Sequence, residues 1–401
     1  MSWEYKTLDQ LGEVSRGRSK HRPRNDPSLF SGKYPFIQTA DVKAANFYIT
    51  EYDATYNEKG LAQSKLWHPG TLCITIAANI ADTGILAMDA CFPDSVMGFL
   101  PYEGIADVRF VKYCFDILQQ NCKKISQGAA QDNLSWEKLS TILFPVPPIA
   151  VQTKIADILS TYDNLIENNQ KQIKLLEEAA QRLYKEWFVD LRFPGHETTP
   201  IVNGVPKGWR VDRADSFFDM SIGKTPPRAE KQWFTDGATG TPWVSISDMG
   251  SSGVYVFQTS EGLTEDAISK HNIKVVPADT VLLSFKLTVG RVSITADNSC
   301  TNEAIAHFVI KDSTLREYVY LYLKCFGYDS LGNTSSISKA VNSKIVKGMQ
   351  FIMPDRTVLS QFHQVLRPIF DEIKNHQKAN IYLAEARDRL LPKLMNGEIE
   401  V

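Results

Sequence analysis

Residues 155–183 read IADILSTYDNLIENNQKQIKLLEEAAQRL, and this stretch decides the fold. Its seam positions alternate by four and three without a break, which predicts a coiled-coil helix sustained over four heptads. A helix this long with so narrow an apolar stripe needs a partner helix. The predicted seam residues are Ile155, Leu159, Tyr162, Ile166, Asn169, Ile173, Leu176, Ala180 and Leu183.

A second seam lies near the C-terminus and is the obvious partner. Its residues are Phe362, Leu366, Ile369, Ile373, His376, Asn380, Leu383, Arg387 and Leu390. Each seam carries a polar residue near its middle, Asn169 and His376, of the kind that fixes register. Because the chain must return before the second helix begins, the two helices are predicted to pack antiparallel. Two simple core helices are the alternative.

The sequence that contains these helices repeats itself once, at an offset of about 207 residues. PFIQTADV at residues 35–42 aligns with PWVSISDM at 242–249, and FPVP at 144–147 aligns with FIMP at 351–354. Gly84 aligns with Gly290. A period this long indicates two duplicated domains instead of a solenoid.

Each repeat is predicted to have an α+β core. Short apolar runs between glycines and prolines predict the strands: residues 71–77, 84–88 and 142–146 in the first repeat and residues 280–285, 290–295 and 349–353 in the second. Helical spacing predicts one helix over Val108–Cys122 and its counterpart over Leu315–Cys325.

Composition narrows the function. The chain has 401 residues with 44 Lys and Arg against 46 Asp and Glu, so any polyanion must bind to local cation clusters. No apolar run is long enough for a membrane span, and the N-terminus lacks a signal-peptide pattern. Six cysteines form no CxxC pair, so neither a disulfide framework nor a zinc finger is expected. We therefore expect a cytoplasmic protein without membrane partners.

Motifs of catalysis are missing. The sequence has no GxxxxGK[ST], GxGxxG, HExxH or GxSxG motif. Asp279 with Lys286 matches half of a magnesium nuclease motif, but Ser284 stands where the second carboxylate belongs. No metal site is predicted. An enzyme acting by itself, a nuclease or a methyltransferase, is the least favoured reading.

Basic and polar loops recur at matching places in the two repeats. RGRSKHRPR at residues 16–24 corresponds to SIGKTPPR at 221–228. SQGAAQDN at residues 126–133 corresponds to NTSSISKA at 333–340. Cations favour phosphate binding, and Gln, Asn, Arg and Lys can contact base edges. Such loops are also common as plain solvated turns.

Together these segments resemble the specificity subunit of type I restriction–modification systems over essentially the full chain. The resemblance rests on GKTP at residues 223–226 followed by PWVSISDM, on LFPVPPI at 143–149 followed by Gln152, and on RDRLLPKLMNGEI at 387–399. The first repeat departs from the pattern, since it has GRSK at 17–20 where the second has GKTP. The second has two extra residues between Pro354 and Gln361.

The resemblance implies a non-catalytic DNA reader. Two target recognition domains, residues 1–148 and 209–356, would each read half of a bipartite, asymmetric site. A central spacer helix at 149–190, a linker at 191–208 and a distal spacer helix with C-terminal segment at 357–401 would set the gap. Two modification (methyltransferase) subunits would dock on the helices, and restriction (motor and nuclease) subunits would join them. S-adenosylmethionine, ATP and magnesium are expected on these partners, and no cofactor on this chain.

Two sets of candidate residues follow. The predicted contacts to double-stranded DNA are Arg16, Arg18, Lys20, Arg22, Arg24, Gln38, Thr39, Asn79, Gln127, Gln131, Asn133, Lys224, Thr225, Arg228, Ser245, Ser247, Lys286, Arg291, Ser335, Ser336, Ser338 and Lys339. The predicted helix-pairing and partner interface comprises Ile155, Leu159, Tyr162, Ile166, Asn169, Ile173, Leu176, Leu183, Leu366, Ile369, Ile373, His376, Leu383 and Leu390. A duplicated coiled-coil scaffold without a DNA role is the alternative function.

Overall fold

The computed structural model describes residues 3–76, 81–125, 136–328 and 342–401, with the backbone alone for residues 120–125 and 136. The chain forms two compact units. The first comprises Met1–Asn168 and Asn380–Val401, and the second comprises Asn169–Ala379. Each unit therefore contains one globular part and a portion of each long helix.

The first unit begins with a mixed array of short strands and helices. Its strands are β1 (Glu4–Lys6), β2 (Gly12–Arg16), β3 (Phe30–Phe36), β4 (Tyr48–Ile49), β5 (Ala54–Tyr56), β6 (Leu66–Trp67), β7 (Leu72–Thr75), β8 (Thr83–Leu86), β9 (Ala90–Cys91), β10 (Val96–Pro101) and β11 (Phe144–Val146). Its helices are α1 (Leu8–Leu11), α2 (Thr39–Ala44), α3 (Glu58–Ala62), α4 (Val108–Ile125), α5 (Trp136–Leu139) and the first part of α6 (Ile149–Tyr184).

The second unit contains the remaining elements. Its strands are β12 (Ile201–Val202), β13 (Val205–Pro206), β14 (Arg210–Arg213), β15 (Asp219–Ile222), β16 (Phe234–Asp236), β17 (Thr241–Val244), β18 (Tyr255–Val256), β19 (Glu261–Leu263), β20 (Val281–Ser284), β21 (Val292–Thr295), β22 (Cys300–Thr301), β23 (Ile305–Val309) and β24 (Gln350–Met353). Its helices are α7 (Ala214–Phe217), α8 (Ile246–Ser252), α9 (Glu265–Lys270), α10 (Arg316–Cys325), α11 (Ser343–Lys347) and the first part of α12 (Arg356–Met395).

Sheet topology repeats between the units. The first has a five-stranded sheet in the order β2-β10-β7-β8-β4, and the second has β15-β23-β20-β21-β18. In both, the last-named edge strand pairs parallel and the others pair antiparallel. A two-stranded sheet joins the start of each repeat to its end, as β1-β11 and β14-β24. The duplication and the α+β fold class predicted from the sequence are both present.

The six predicted strands lie close to their observed bounds, and four of them are buried along their whole length. Every residue of β7, β8, β20 and β21 is buried, as continuous apolar runs in a covered sheet should be. The strand predicted over residues 71–77 is β7, which ends at Thr75, and Ala77 lies outside the described residues. The predicted helices are α4 and α10.

Helix α6 begins directly after Pro147-Pro148, three residues before Gln152. Gln152 is buried, donates from Nε2 to the carbonyls of Ile105 and Pro147, and accepts at Oε1 from the Asp107 amide. Since an unpaired buried amide is costly, these bonds fix where the helix leaves the domain. At its other end, α6 passes into a π-helical turn, Lys185–Val189.

The two long helices pack antiparallel within each unit. In the first, Ile155 and Leu159 of α6 share a core with Leu391 and Leu394 near the end of α12. In the second, the rings of Trp187 and Phe188, just beyond α6, lie 5.5 Å and 4.7 Å from that of Phe362, near the start of α12. Early residues of one helix therefore meet late residues of the other.

Among the described residues, no helix is both long enough and apolar enough to cross a membrane.

Candidate nucleic-acid interface

Two loops that follow matching strands, β2 and β15, are held in the same way. After β2, the amides of Gly17 and Arg18 donate to the carbonyls of Val96 and Phe92, at 2.9 and 3.0 Å. After β15, the amides of Gly223 and Lys224 donate to Ile305 and Thr301, at 3.1 and 2.9 Å. We call residues 17–24 the first basic loop and residues 223–228 the second basic loop.

Both loops depend on a glycine at their start. A Cβ built on Gly17 would overlap the carbonyl oxygens of Phe92 and Pro93, and one on Gly223 would overlap those of Thr301 and Asn302. The sequence aligned these glycines without giving a reason for them. The structure provides one, because the backbone crosses a neighbouring strand too closely for any side chain.

The first basic loop presents two exposed cations, Arg18 and Lys20, that form no ion pair within the described part of the chain. Arg24 instead forms two bonds with Asp94, at 2.6 and 2.7 Å, and Arg22 lies 4.0 Å from the same carboxylate. Arg16, predicted to lie in the loop, is the last residue of β2 because its backbone pairs with Met97. Its side chain is exposed.

The second basic loop is anchored to neighbouring elements. Lys224 donates from Nζ to the carbonyl of His271 at 2.5 Å, and Thr225 donates to the carboxylate of Glu303. This bond, together with the positive charges of Lys286 and Arg228, holds the pKa of Glu303 below its ordinary value. Lys286 and Arg228 therefore lie on the same side of the domain, around Glu303.

The side chain of Arg228 lies over two aromatic rings. Its guanidinium is 4.5 Å from the ring centroids of both Phe234 and Trp243, and it forms an ion pair with Glu261 at 2.7 Å. The rings and the carboxylate hold the planar cation in one orientation. This makes Arg228 the best oriented cation of the second basic loop.

The aligned polar segments after β3 and β17 form helix N-termini. Ser245 caps α8 in a capping box with Asp248, and Gln38 occupies the same place before α2 with Asp41. The hydroxyl of Ser245 is engaged within the cap. Thr39, in the first turn of α2, is half-buried, and Ser247 in α8 is exposed.

Lys286 and Arg291 lie in the loop between β20 and β21, residues 285–291, and differ in exposure. Lys286 is exposed. Arg291 donates from Nη1 to the carbonyl of Ile246 at 2.6 Å and packs against Gly250. The structure thus uses Arg291 to brace this loop against α8.

Eight of the predicted DNA contacts lie outside the described residues or side chains. They are Asn79, Gln127, Gln131, Asn133, Ser335, Ser336, Ser338 and Lys339.

Every residue of the seam predicted for helix pairing and partner docking is buried or partly buried. Ile155, Leu159, Leu366 and Ile373 are fully buried. Ile166 is also buried. The remaining members are partly exposed: Tyr162, Asn169, Ile173, Leu176, Leu183, Ile369, His376, Leu383 and Leu390.

Within the described ranges, no group of three or more His, Cys, Asp or Glu side chains could hold a metal ion. His307 on β23 is fully buried and bonds through its two ring nitrogens to the hydroxyls of Ser221 and Thr301, at 2.9 and 2.7 Å. Burial lowers its pKa to about 4. The ring is therefore neutral at neutral pH and links β15, which leads into the second basic loop, to β22.

Comparison with known proteins decides the family. The family model for the type I restriction modification DNA specificity domain matches residues 1–178 and, a second time, residues 206–381. The chain belongs to this family. The resemblance predicted from the sequence is confirmed, and each of the two matches contains one basic loop with its supporting glycine.

Named relatives of this specificity family align over nearly the whole chain. The type I restriction enzyme MjaIX specificity subunit of Methanocaldococcus jannaschii is 26% identical, covering 100% of this chain and 94% of the relative. The HindI specificity subunit of Haemophilus influenzae is 24% identical, covering 97% and 98%. The crystal structure of the S subunit of M. genitalium, 14% identical with 98% and 96% coverage, has the same fold at a TM-score of 0.57.

In this member of the specificity family, polar groups at the helix seam were missed by the sequence analysis. Asp163 of α6 is 2% exposed, accepts from the hydroxyl of Tyr113 on α4 at 2.5 Å, and pairs with Arg387 of α12. Asp163 lies four residues after Leu159 and three before Ile166. That spacing places a charge on the buried face, which is the signal that would have identified it.

The second unit has its own buried carboxylate, placed differently. Glu317 of α10 is fully buried, and it is bonded to Arg316 and to Nδ1 of His363 on α12, each at 2.7 Å. In the first unit the buried carboxylate thus links the two long helices, whereas in the second it links α10 to α12.

Proposed function

We propose that this chain is the DNA-recognition subunit of a type I restriction–modification complex and that each repeat reads one half of a bipartite, asymmetric target. The observation that carries the proposal is the repeated loop geometry. Two domains whose five-stranded sheets have the same strand order each hold a glycine-started, cation-bearing loop by equivalent backbone bonds. A bipartite target requires two readers of one type whose side chains differ.

Phosphate contacts would provide affinity and position. Arg18 and Lys20 in the first basic loop and Lys224 in the second are exposed cations that form no ion pair among the described residues, and they are suited to this role. Arg228, like Arg24, is already paired with a carboxylate. Sequence would be read by polar side chains beside them, since bidentate contacts in the major groove distinguish base pairs. Near-neutral overall charge fits weak binding by the isolated chain and stronger binding in an assembled complex.

We further propose that the chain has no catalytic role of its own. Two modification subunits would dock on α6 and α12 and bring S-adenosylmethionine, and restriction subunits would bring ATP and magnesium. Methylation of an adenine within a duplex requires that the base be flipped out. The recognition domains would hold the duplex while the partner performs that step.

The test is methylation profiling of host DNA with and without the gene for this chain. We expect one methylated adenine motif in each strand of a two-part sequence, with a fixed number of unspecified base pairs between the parts. Both motifs should disappear together when the gene is deleted. An unchanged methylation pattern would favour the scaffold alternative.

A domain exchange tests the two recognition domains one at a time in the same assay. Exchange of residues 1–148 for the corresponding region of a relative should change one half of the target and leave the other half and the gap unchanged. A change in both halves would refute independent reading by the two repeats.

A further inference from the structure

The loop between β20 and β21 in the second unit carries an exposed leucine. Leu287 is 97% exposed and has a φ of 60°, a left-handed conformation that leucine rarely adopts. An isolated exposed leucine on a surface is ordinary. An apolar side chain held outward in a disfavoured backbone conformation requires surroundings that impose it.

Those surroundings are a rigid loop base. The Ser284 hydroxyl donates to the carbonyl of Thr288 at 2.6 Å and accepts from the amide of Arg291 at 3.0 Å. The Arg291 side chain is bonded to Ile246, and Gly290, with a φ of 91°, packs beneath the ring of Tyr328. The loop is therefore fixed at both ends while its tip points to solvent.

The base of the same loop is joined to residues that hold the second basic loop. The amide of Phe285 donates to the carbonyl of Ala304 at 2.9 Å, next to Glu303, which accepts from Thr225. Lys286, adjacent to the leucine, and Arg228 both contribute positive charge around Glu303. Lys286, which directly precedes the leucine, is an exposed cation suited to a phosphate contact.

We propose that Leu287 is an apolar wedge that enters the DNA and separates a base step in the half-site read by the second repeat. This inference rests on the proposed function and adds a contact that charge and hydrogen bonding alone would not supply. Proteins that distort DNA insert leucine or similar side chains between base pairs, and nearby phosphate contacts offset the cost of unstacking. A tip already fixed in position loses little entropy when it inserts.

The wedge belongs to the second repeat only. In the first repeat, seven residues likewise separate β7 from β8, and the Asp82 amide donates to the hydroxyl of Thr75 at 3.0 Å, as that of Arg291 does to Ser284. Counted along the sequence from the strand ends Thr75 and Ser284, Ala78 corresponds to Leu287. Distortion by this loop is therefore confined to one half of the target.

The test compares two variants in the full chain assembled with its methyltransferase subunits. Leu287→Asn keeps a residue that tolerates the left-handed conformation but removes the apolar side chain, whereas Leu287→Met keeps an apolar one. The probe is a fluorescein-labelled duplex that carries the target identified by methylation profiling, measured by anisotropy. We expect Leu287→Asn to weaken binding about 10-fold and Leu287→Met to weaken it less than about 2-fold.

A second probe identifies the mechanism. A single mismatched base pair is placed in turn at each step of a half-site. The mismatch weakens base stacking at that step before the protein binds, so a wedge is no longer needed there. With a mismatch at one step of the second repeat's half-site, Leu287→Asn should lose less binding affinity than it does on the matched duplex. A mismatch at any step of the other half-site should not reduce this loss. Both variants should keep the wild-type salt dependence, because no phosphate contact is removed.

Equal binding by Leu287→Asn and wild type would overturn the wedge, as would a loss that no mismatch reduces. Weakened assembly with the methyltransferase subunits would also overturn it and would assign the side chain to a protein interface. These outcomes leave the proposed function intact, since wild type still binds its target. If wild type does not prefer the profiled target to a scrambled duplex, the proposed function itself fails.

Discussion

Arg387 of α12 donates to Asp163 of α6, a carboxylate that also accepts from Tyr113 on α4. The pair ties both long helices and the helix of the globular domain into one contact in the first unit. A buried carboxylate with one partner removed is far more costly than one that is fully paired. The seam of the first unit therefore depends on this charge as well as on its apolar residues.

Removal of the arginine should be costly. We expect Arg387→Leu to lower the free energy of unfolding by about 3–5 kcal/mol, because it leaves Asp163 without its cation. The double variant Asp163→Leu/Arg387→Leu should recover much of this loss, and urea unfolding measures both. Arg389→Leu is the matched control, since Arg389 is exposed on the same helix and should change stability by less than about 1 kcal/mol. Equal effects of Arg387→Leu and Arg389→Leu would contradict the prediction.

The sequence predicted the long helices, the duplication and six of the strands, because each of these leaves a periodic or repeated apolar pattern. It did not predict Asp163 at the seam or Glu317 in the core of the second unit, because a charge is normally assigned to the surface. Such residues are buried only where a partner from a distant segment meets them, and sequence spacing does not reveal that partner.

The basic loops were predicted in part. Their positions followed from the repeat, but which cations are available for DNA did not. Arg24 looks identical to Arg18 in the sequence, yet it is neutralised by Asp94, which lies 70 residues further along the chain. Arg291, another predicted DNA contact, donates to the carbonyl of Ile246 in α8, a partner that the sequence did not reveal, and its contact with DNA stays a prediction. Long-range tertiary pairing decides such cases.

This difference among the cations predicts unequal effects on DNA binding. Arg18→Ala and Lys20→Ala should each weaken target binding by the assembled complex and reduce the slope of log K against log salt by about 0.9 per lost phosphate contact. Arg24→Ala should have a smaller effect, because Asp94 already balances its charge. Anisotropy at several salt concentrations measures the slope.

The control for these variants is Lys6→Ala, which removes a lysine of the same unit that is paired with Glu4 on β1. It should leave the slope unchanged. If Arg24→Ala changed the slope as much as Arg18→Ala, the ion pair with Asp94 would not be the feature that separates the two arginines.

The glycine at the start of the second basic loop should not tolerate a side chain. Gly223→Ala would force the loop away from Thr301 and Asn302, so we expect a loss of about 2 kcal/mol in the free energy of unfolding, together with weaker DNA binding. Gly327→Ala is the matched control, since a Cβ built on Gly327 would meet no described atom within 4 Å. Wild-type stability and DNA affinity in Gly223→Ala would refute a close backbone crossing at this position.

The buried His307 predicts a specific loss of stability in acid. Its pKa is about 4 in the folded chain and about 6.5 when unfolded, so the unfolded state binds the proton first as the pH falls. The stability that this residue contributes is therefore complete above pH 6.5 and is lost progressively from about pH 6.5 down to about pH 4, by on the order of 2 kcal/mol at pH 5.

Urea unfolding at pH 7.5 and pH 5 measures this loss against His307→Gln, whose side chain does not titrate. The variant should be less stable than wild type at pH 7.5, because glutamine cannot reach both Ser221 and Thr301, but the difference should narrow at pH 5. A difference between the two proteins that stays constant from pH 7.5 to pH 5 would mean that His307 is not held neutral by burial.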